Sequence, residues 1–169
     1  MAETVRRGSG IGAEEGPDLE RFREWIRSGN RGSDHGYVLL LGLEPVDTTR
    51  LIEQVKKGFS YGELEHLQDN IGLSRSELAD LVQVKLRTLD RRKREDHLLP
   101  EESDRLLRVS RVFGKALELF EGDPESAREW LSAPQTALGG AVPLDMARTD
   151  IGAREVEALA GRLEHGVFS

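Results

Sequence analysis

Apolar residues along this chain recur at three- and four-residue spacing in short blocks, each closed by glycine, proline or a capping residue. That rhythm predicts helices and few strands. Residues 18–27 set Leu19, Phe22, Trp25 and Ile26 on one face behind Asp18, which reads as the cap, and the glycine- and serine-rich stretch 29–36 follows. We expect a tethered accessory helix there. An apolar run over 37–41 comes next, then Pro45 and a helix over 47–57 that carries Leu51, Ile52 and Val55 and closes at Gly58. Two capping boxes, Ser60-x-x-Glu63 and Ser74-x-x-Glu77, each open an amphipathic segment, so short helices should pack in a tight cluster. Another helix should start near Lys85 after a turn at Gln83-Val84. The next should start near Pro100, whose ring suits a first helical position ahead of Glu101 and Glu102, and run on through Leu106, Leu107, Val109, Val112 and Phe113. Beyond it, residues 116–120, the Trp130-Leu131 region and 153–164 are helical between breaks at Gly122-Asp123-Pro124, Pro134, Gly139-Gly140 and Pro143. The last of these lines up Val156, Leu159, Ala160 and Leu163 on one stripe.

Composition narrows what such a helical protein can do. The 169 residues suit one or two small domains, and no apolar run approaches the roughly 18 residues that span a bilayer. The first residues also lack the apolar stretch of a signal peptide, so a cytoplasmic protein with no membrane partner is expected. Absence of cysteine removes disulfides, thiol nucleophiles and cysteine-based zinc sites. His35, His66, His97 and His165 are scattered without ligand spacing, so neither a metal nor another cofactor is expected. Gly8, Gly10, Gly12 and Gly16 resemble a phosphate loop only in spacing, because no strand precedes them and Glu15 breaks the dinucleotide pattern. His66 has no Ser or Asp fixed beside it by spacing, and Trp25 and Trp130 are spaced as core anchors. No catalytic constellation emerges, and the chain reads as a non-enzyme.

Charge distribution is more informative than its total of 24 basic and 31 acidic side chains. Acid is concentrated in the last third, whereas Lys85, Arg87, Arg91, Arg92, Lys93 and Arg94 follow one another with Asp90 as the only acid among them. A basic stripe in an acidic protein points to an anionic partner. The preceding residues supply a reason for the stripe. A helix-turn-helix needs a small residue where its helices cross, here Ala79, and apolar residues at fixed offsets, here Leu78, Val82, Val84 and Leu89. That register turns Lys85, Leu86, Arg87, Thr88, Asp90 and Arg91 outward on a helix fit for the major groove. Arginine can meet both acceptors on the guanine edge, and Arg92, Lys93 and Arg94 are placed to reach phosphates. Gln83 departs from the glycine often found at the turn and must tolerate its geometry.

The runs Leu86-Arg87-Thr88-Leu89-Asp90-Arg91-Arg92-Lys93 and Leu99-Pro100-Glu101-Glu102-Ser103-Asp104-Arg105-Leu106-Leu107-Arg108 resemble the Xre/MbcA/ParS antitoxins. The likeness continues through Trp130-Leu131, Pro134, Leu138-Gly139-Gly140, Pro143-Leu144, Gly152 and Arg162-Leu163-Glu164-His165-Gly166-Val167, and spans about residues 36–169. It implies an Xre-like helix-turn-helix followed by a C-terminal toxin-binding domain. It also implies a cognate RES-domain toxin that consumes NAD or transfers ADP-ribose from it.

The expected fold is all-α, with a flexible arm and short helix (1–35), a helix-turn-helix domain (36–113) and a small α-helical toxin-binding domain (114–169). Lys85, Arg87, Thr88, Arg91, Arg92 and Arg94 are the candidate DNA contacts. Arg162, His165, Gly166, Val167 and Phe168 are the candidate toxin contacts, with Val167 and Phe168 either entering a cleft of the toxin or packing back on their own helix. Binding and neutralising the toxin, operator binding with autorepression, and homodimerisation on a two-fold operator are the expected activities. The rival expectation is a plain transcriptional regulator whose C-terminal domain dimerises or senses a ligand.

Overall fold

A computed structural model describes residues 16–29 and 35–166, and among these residues the chain forms helices and turns with no strand. The arm at 1–15, residues 30–34, and Val167 and Phe168 lie outside the described residues. In order come α1 (Pro17–Arg27), a 3-10 helix (Gly36–Leu41), α2 (Thr48–Lys57), α3 (Tyr61–Ile71), α4 (Arg75–Leu81) and α5 (Leu86–Glu95). Then come α6 (Pro100–Leu119), α7 (Pro124–Ser132), a short 3-10 turn (Thr136–Leu138), α8 (Pro143–Met146) and α9 (Asp150–Glu164). The fold is all-α, as the spacing of apolar residues implies.

The longest element, α6, is the spine. Pro100 occupies its first turn with Glu101 and Glu102, and Leu106, Val109, Val112, Phe113, Ala116 and Leu117 are all buried along it. It packs against the first 3-10 helix, α2, α3, α7 and α9. A glycine inside a helix costs about 1 kcal/mol relative to alanine, yet Gly114 has a reason to be there. A Cβ at that position would lie 2.9 Å from the Tyr37 Cβ, so its absence lets the 3-10 helix rest on α6. The helix therefore continues past Phe113 to Leu119, and the expected boundary at 113/114 falls inside it. Residues 116–120 belong to this helix and its end, not to a separate one.

The structure corrects the expected role of α1. Gly16 is its N-cap, while Asp18 is buried and its Oδ2 accepts hydrogen bonds from His66 Nδ1 at 2.6 Å and Asn70 Nδ2 at 3.1 Å. The same Asn70 amide donates to the Leu40 carbonyl at 3.0 Å. Leu19 and Phe22 are fully buried, so α1 is part of the core and not a tethered accessory. The capping box at Ser60 is also absent. The Ser60 hydroxyl turns to the Glu63 carboxylate, and the Tyr61 N–H is met by Asp96 Oδ1 at 3.2 Å. At the other end, α9 starts at Asp150, ahead of the expected 153, because the Thr149 hydroxyl accepts from the Gly152 N–H at 3.1 Å.

A further correction concerns Arg92, expected among the phosphate contacts. It lies three residues after the core residue Leu89 on the same side of α5, and it is buried at 6% exposure. Its Nε donates to Glu102 Oε2 at 2.8 Å and its Nη2 to Glu102 Oε1 at 2.9 Å, which fastens α5 to the start of α6. Glu102 Oε2 also accepts the Leu99 N–H at 2.9 Å. Burial pushes the Glu102 carboxyl up, but the Arg92 hydrogen bonds and charge and the Leu99 N–H outweigh it, so the group titrates below its ordinary value.

Breaking a buried pair on one side strands the other charge. Arg92→Ala should cost about 3–5 kcal/mol in urea denaturation, and the apolar double variant Arg92→Met/Glu102→Leu should cost much less. Because the folded Glu102 pKa is depressed, the pair contributes fully above the unfolded carboxylate value, about 4.3. The contribution disappears as pH falls through the lower folded value. Glu102→Gln should therefore be less stable near neutrality and lose less stability on acidification, as read by circular dichroism.

Candidate nucleic-acid interface and C-terminal surface

The α4–α5 unit is built as its residue types require. The Ser74 hydroxyl accepts from the Glu77 N–H at 3.1 Å, and Glu77 Oε2 accepts from the Ser74 N–H at 2.7 Å, which starts α4. Ala79 is buried where the helices cross, and its carbonyl accepts from the Val84 N–H at 3.0 Å. Leu78, Val82 and Leu89 are buried and Val84 is partly so, in the register read from the sequence.

The turn uses a left-handed residue that is not glycine: Gln83 has φ of 60°. Its side chain gives the conformation a fixed partner, since Nε2 donates to the Arg148 carbonyl at 2.9 Å. Around it, the Arg148 guanidinium pairs with Asp80, Arg105 Nη1 donates to the Val82 carbonyl at 3.4 Å, and Arg108 Nη1 donates to the Arg148 carbonyl at 3.3 Å. The turn between the helices is thus held by α6 and by the segment leading into α9.

On α5, Lys85 is the N-cap, and Lys85, Arg87, Arg91 and Arg94 are exposed. Among the described residues none of these four has a carboxylate within ion-pair distance, whereas neighbouring charges are committed. Asp90 meets Arg75 Nη2 at 2.5 Å, and Lys93 sits 3.6 Å from Glu65 and over the Tyr61 ring. Hydrogen bonds to the Tyr61 hydroxyl and to Asp90 hold the Arg75 guanidinium above its ordinary value. Thr88 is half-buried at the edge of the exposed face, and Arg92 is turned into the core. A helix that presents free guanidiniums at Arg87 and Arg91, one turn apart, can meet guanine edges, with Arg94 further along for phosphate.

The C-terminal elements pack on the same spine. Val156, Leu159 and Ala160 of α9 are buried, so that stripe faces inward. Arg111 of α6 reaches Glu157 Oε1 at 2.5 Å and Asp150 Oδ1 at 3.4 Å. Burial pushes the Glu157 carboxyl above its ordinary value against the pull of Arg111. The outward ridge of α9 consists of Ile151, Arg154, Glu155, Ala158, Arg162 and His165, with Ile151 at 79% exposure. Arg162, His165 and Gly166 are exposed, and His165 also lines a cleft of 310 Å³ with Trp25, Tyr37 and Arg111. Ile151 was missed in the sequence because it precedes the expected start of the helix. No group of three or more His, Cys, Asp or Glu among the described residues could hold a metal, and no helix there is long and apolar enough to cross a membrane.

Comparison with known proteins agrees with this two-part layout. The family model for the antitoxin Xre-like helix-turn-helix domain matches residues 50–111, and that for the antitoxin Xre/MbcA/ParS C-terminal toxin-binding domain matches residues 115–166. The chain is 38% identical over 130 residues to Antitoxin Xre of Yersinia enterocolitica, covering 76% of this chain and 88% of that one. It is 29% identical over 116 residues to Antitoxin Xre of Photorhabdus laumondii, covering 68% and 78%. It is 27% identical over 142 residues to the Prs ADP-ribosylating antitoxin of a Sphingobium species, covering 79% and 87%. With a helix-turn-helix domain and a toxin-binding domain matched in that order on one helical body, the chain belongs to the Xre/MbcA/ParS family and is an antitoxin of the type II class.

Proposed function

We propose that this antitoxin neutralises a RES-domain toxin that consumes NAD or transfers ADP-ribose from it, and that it represses its own promoter as a homodimer through α5. The observation that carries the DNA half is the exposed cationic face of Lys85, Arg87, Arg91 and Arg94, none of them held by a carboxylate among the described residues. Two copies are needed because one short recognition helix offers few base contacts. The Sphingobium relative's name carries ADP-ribosylation, which supports a toxin of NAD chemistry. Residues 162–169, including Arg162, His165, Gly166, Val167 and Phe168, are the proposed contacts at the toxin's active-site entrance. A segment that fills that entrance would exclude the substrate sterically.

Replacing Arg87 or Arg91 with Ala should cost about 1–3 kcal/mol of specific promoter binding. Arg94→Ala should instead weaken binding to all sequences and reduce its salt dependence. The Arg87→Ala/Arg91→Ala variant should fail to repress a promoter reporter yet still protect cells from the product of the adjacent reading frame. Arg92 is excluded from that variant because its loss reports on folding. Deleting residues 166–169 should leave a folded protein that still associates with the toxin in size-exclusion chromatography but restores little NAD; full protection by the truncated chain would move the inhibitory contact onto the body of the domain.

A further inference from the structure

Leu86 is the first helical residue of α5, directly after the N-cap Lys85, and it is 45% exposed. The α4–α5 core does not account for it, since Leu78, Val82 and Leu89 already fill that space. Its neighbours along the chain are the free cations Lys85 and Arg87, and Asp90, one turn on, is already neutralised by Arg75. A partner for this spot must be anionic around its rim and apolar at one point within. The major groove of DNA has both features, with phosphates along its walls and the thymine C5-methyl as the apolar group on its floor. The residues at the N-terminus of a recognition helix are the ones that reach base edges.

We infer that Leu86 reads a thymine, packing its side chain against the C5-methyl in the major groove, and so sets sequence preference separately from the guanidiniums beside it. Selection works in both directions. The methyl contact rewards thymine, and a leucine placed against the cytosine amino group strips that donor of water without replacing its hydrogen bond. This inference rests on the proposed binding of promoter DNA by α5.

The test uses the full chain and the duplex directly upstream of its gene. A footprint of the wild-type protein defines the bound bases. Each thymine within it is then replaced, one at a time, by deoxyuridine, which keeps the pairing and removes one methyl. By fluorescence anisotropy, one such replacement per half-site should weaken wild-type binding about fourfold, the worth of one buried methyl-sized group. Leu86→Ala should bind the parent duplex more weakly and should not distinguish it from that deoxyuridine duplex. Leu86→Met, which keeps an apolar contact, and Arg87→Ala should both retain the discrimination. The inference is overturned if the wild type is indifferent to every replacement, or if Leu86→Ala keeps the discrimination at the same position. A chain that gives no footprint would instead remove the DNA-binding reading, and this inference with it.

Discussion

Burial of α6 is the constraint on which the rest of the structure depends. Its inward residues, among them Leu106, Phe113 and Leu117, are fully or almost fully removed from water, and each such side chain contributes about 1.5–3 kcal/mol when buried. No single neighbour can cover them. The first 3-10 helix, α2, α3, α7 and α9 share the task, so the helix-turn-helix part and the toxin-binding part close on one helix. Two polar ties fix the angles that apolar contacts leave loose. Arg92 to Glu102 sets α5 against the start of α6, and Arg111 to Glu157 sets α9 against its middle.

What local spacing decides was legible in the sequence. The Ser74 capping box, Ala79 at the crossing, the register of Leu78, Val82 and Leu89, and Pro100 at a helix start all depend on residues a few positions apart. What depends on distant partners was not legible. In the basic run Arg92 reads like its neighbours, and only the packing of α5 shows that Glu102 takes it out of solvent. Asp18 has the composition of a cap, but its partners His66 and Asn70 lie on α3, a long way along the chain. The helix expected through Phe113 runs on to Leu119, and only Tyr37 lying against Gly114 shows why a glycine sits inside it. Gln83 was visible as a departure, while the Arg148 carbonyl that anchors it was not.

That last contact bears on how the two working parts share one body. The turn between α4 and α5 is held at Val82 by Arg105 of α6 and at Asp80 and Gln83 by Arg148, two residues before α9, whose carbonyl Arg108 of α6 also meets. The exposed cations of α5 and the outward ridge of α9 are nevertheless separate sets of residues on separate elements. In the proposed function the first set meets promoter DNA, Arg162 and His165 of the second belong to the segment that meets the toxin, and α6 fixes their relative placement.

Amide hydrogen exchange can show whether one body organised around α6 carries two distinct working surfaces. The chain would be measured alone, with its promoter duplex, and with the product of the adjacent reading frame. DNA should slow exchange in α4 and α5, the toxin should slow it toward the C-terminal part of α9, and α6 should exchange most slowly in all three. Protection by DNA that spared α5, toxin protection that centred on α5, or an α6 that exchanged as fast as the connecting turns would contradict that arrangement.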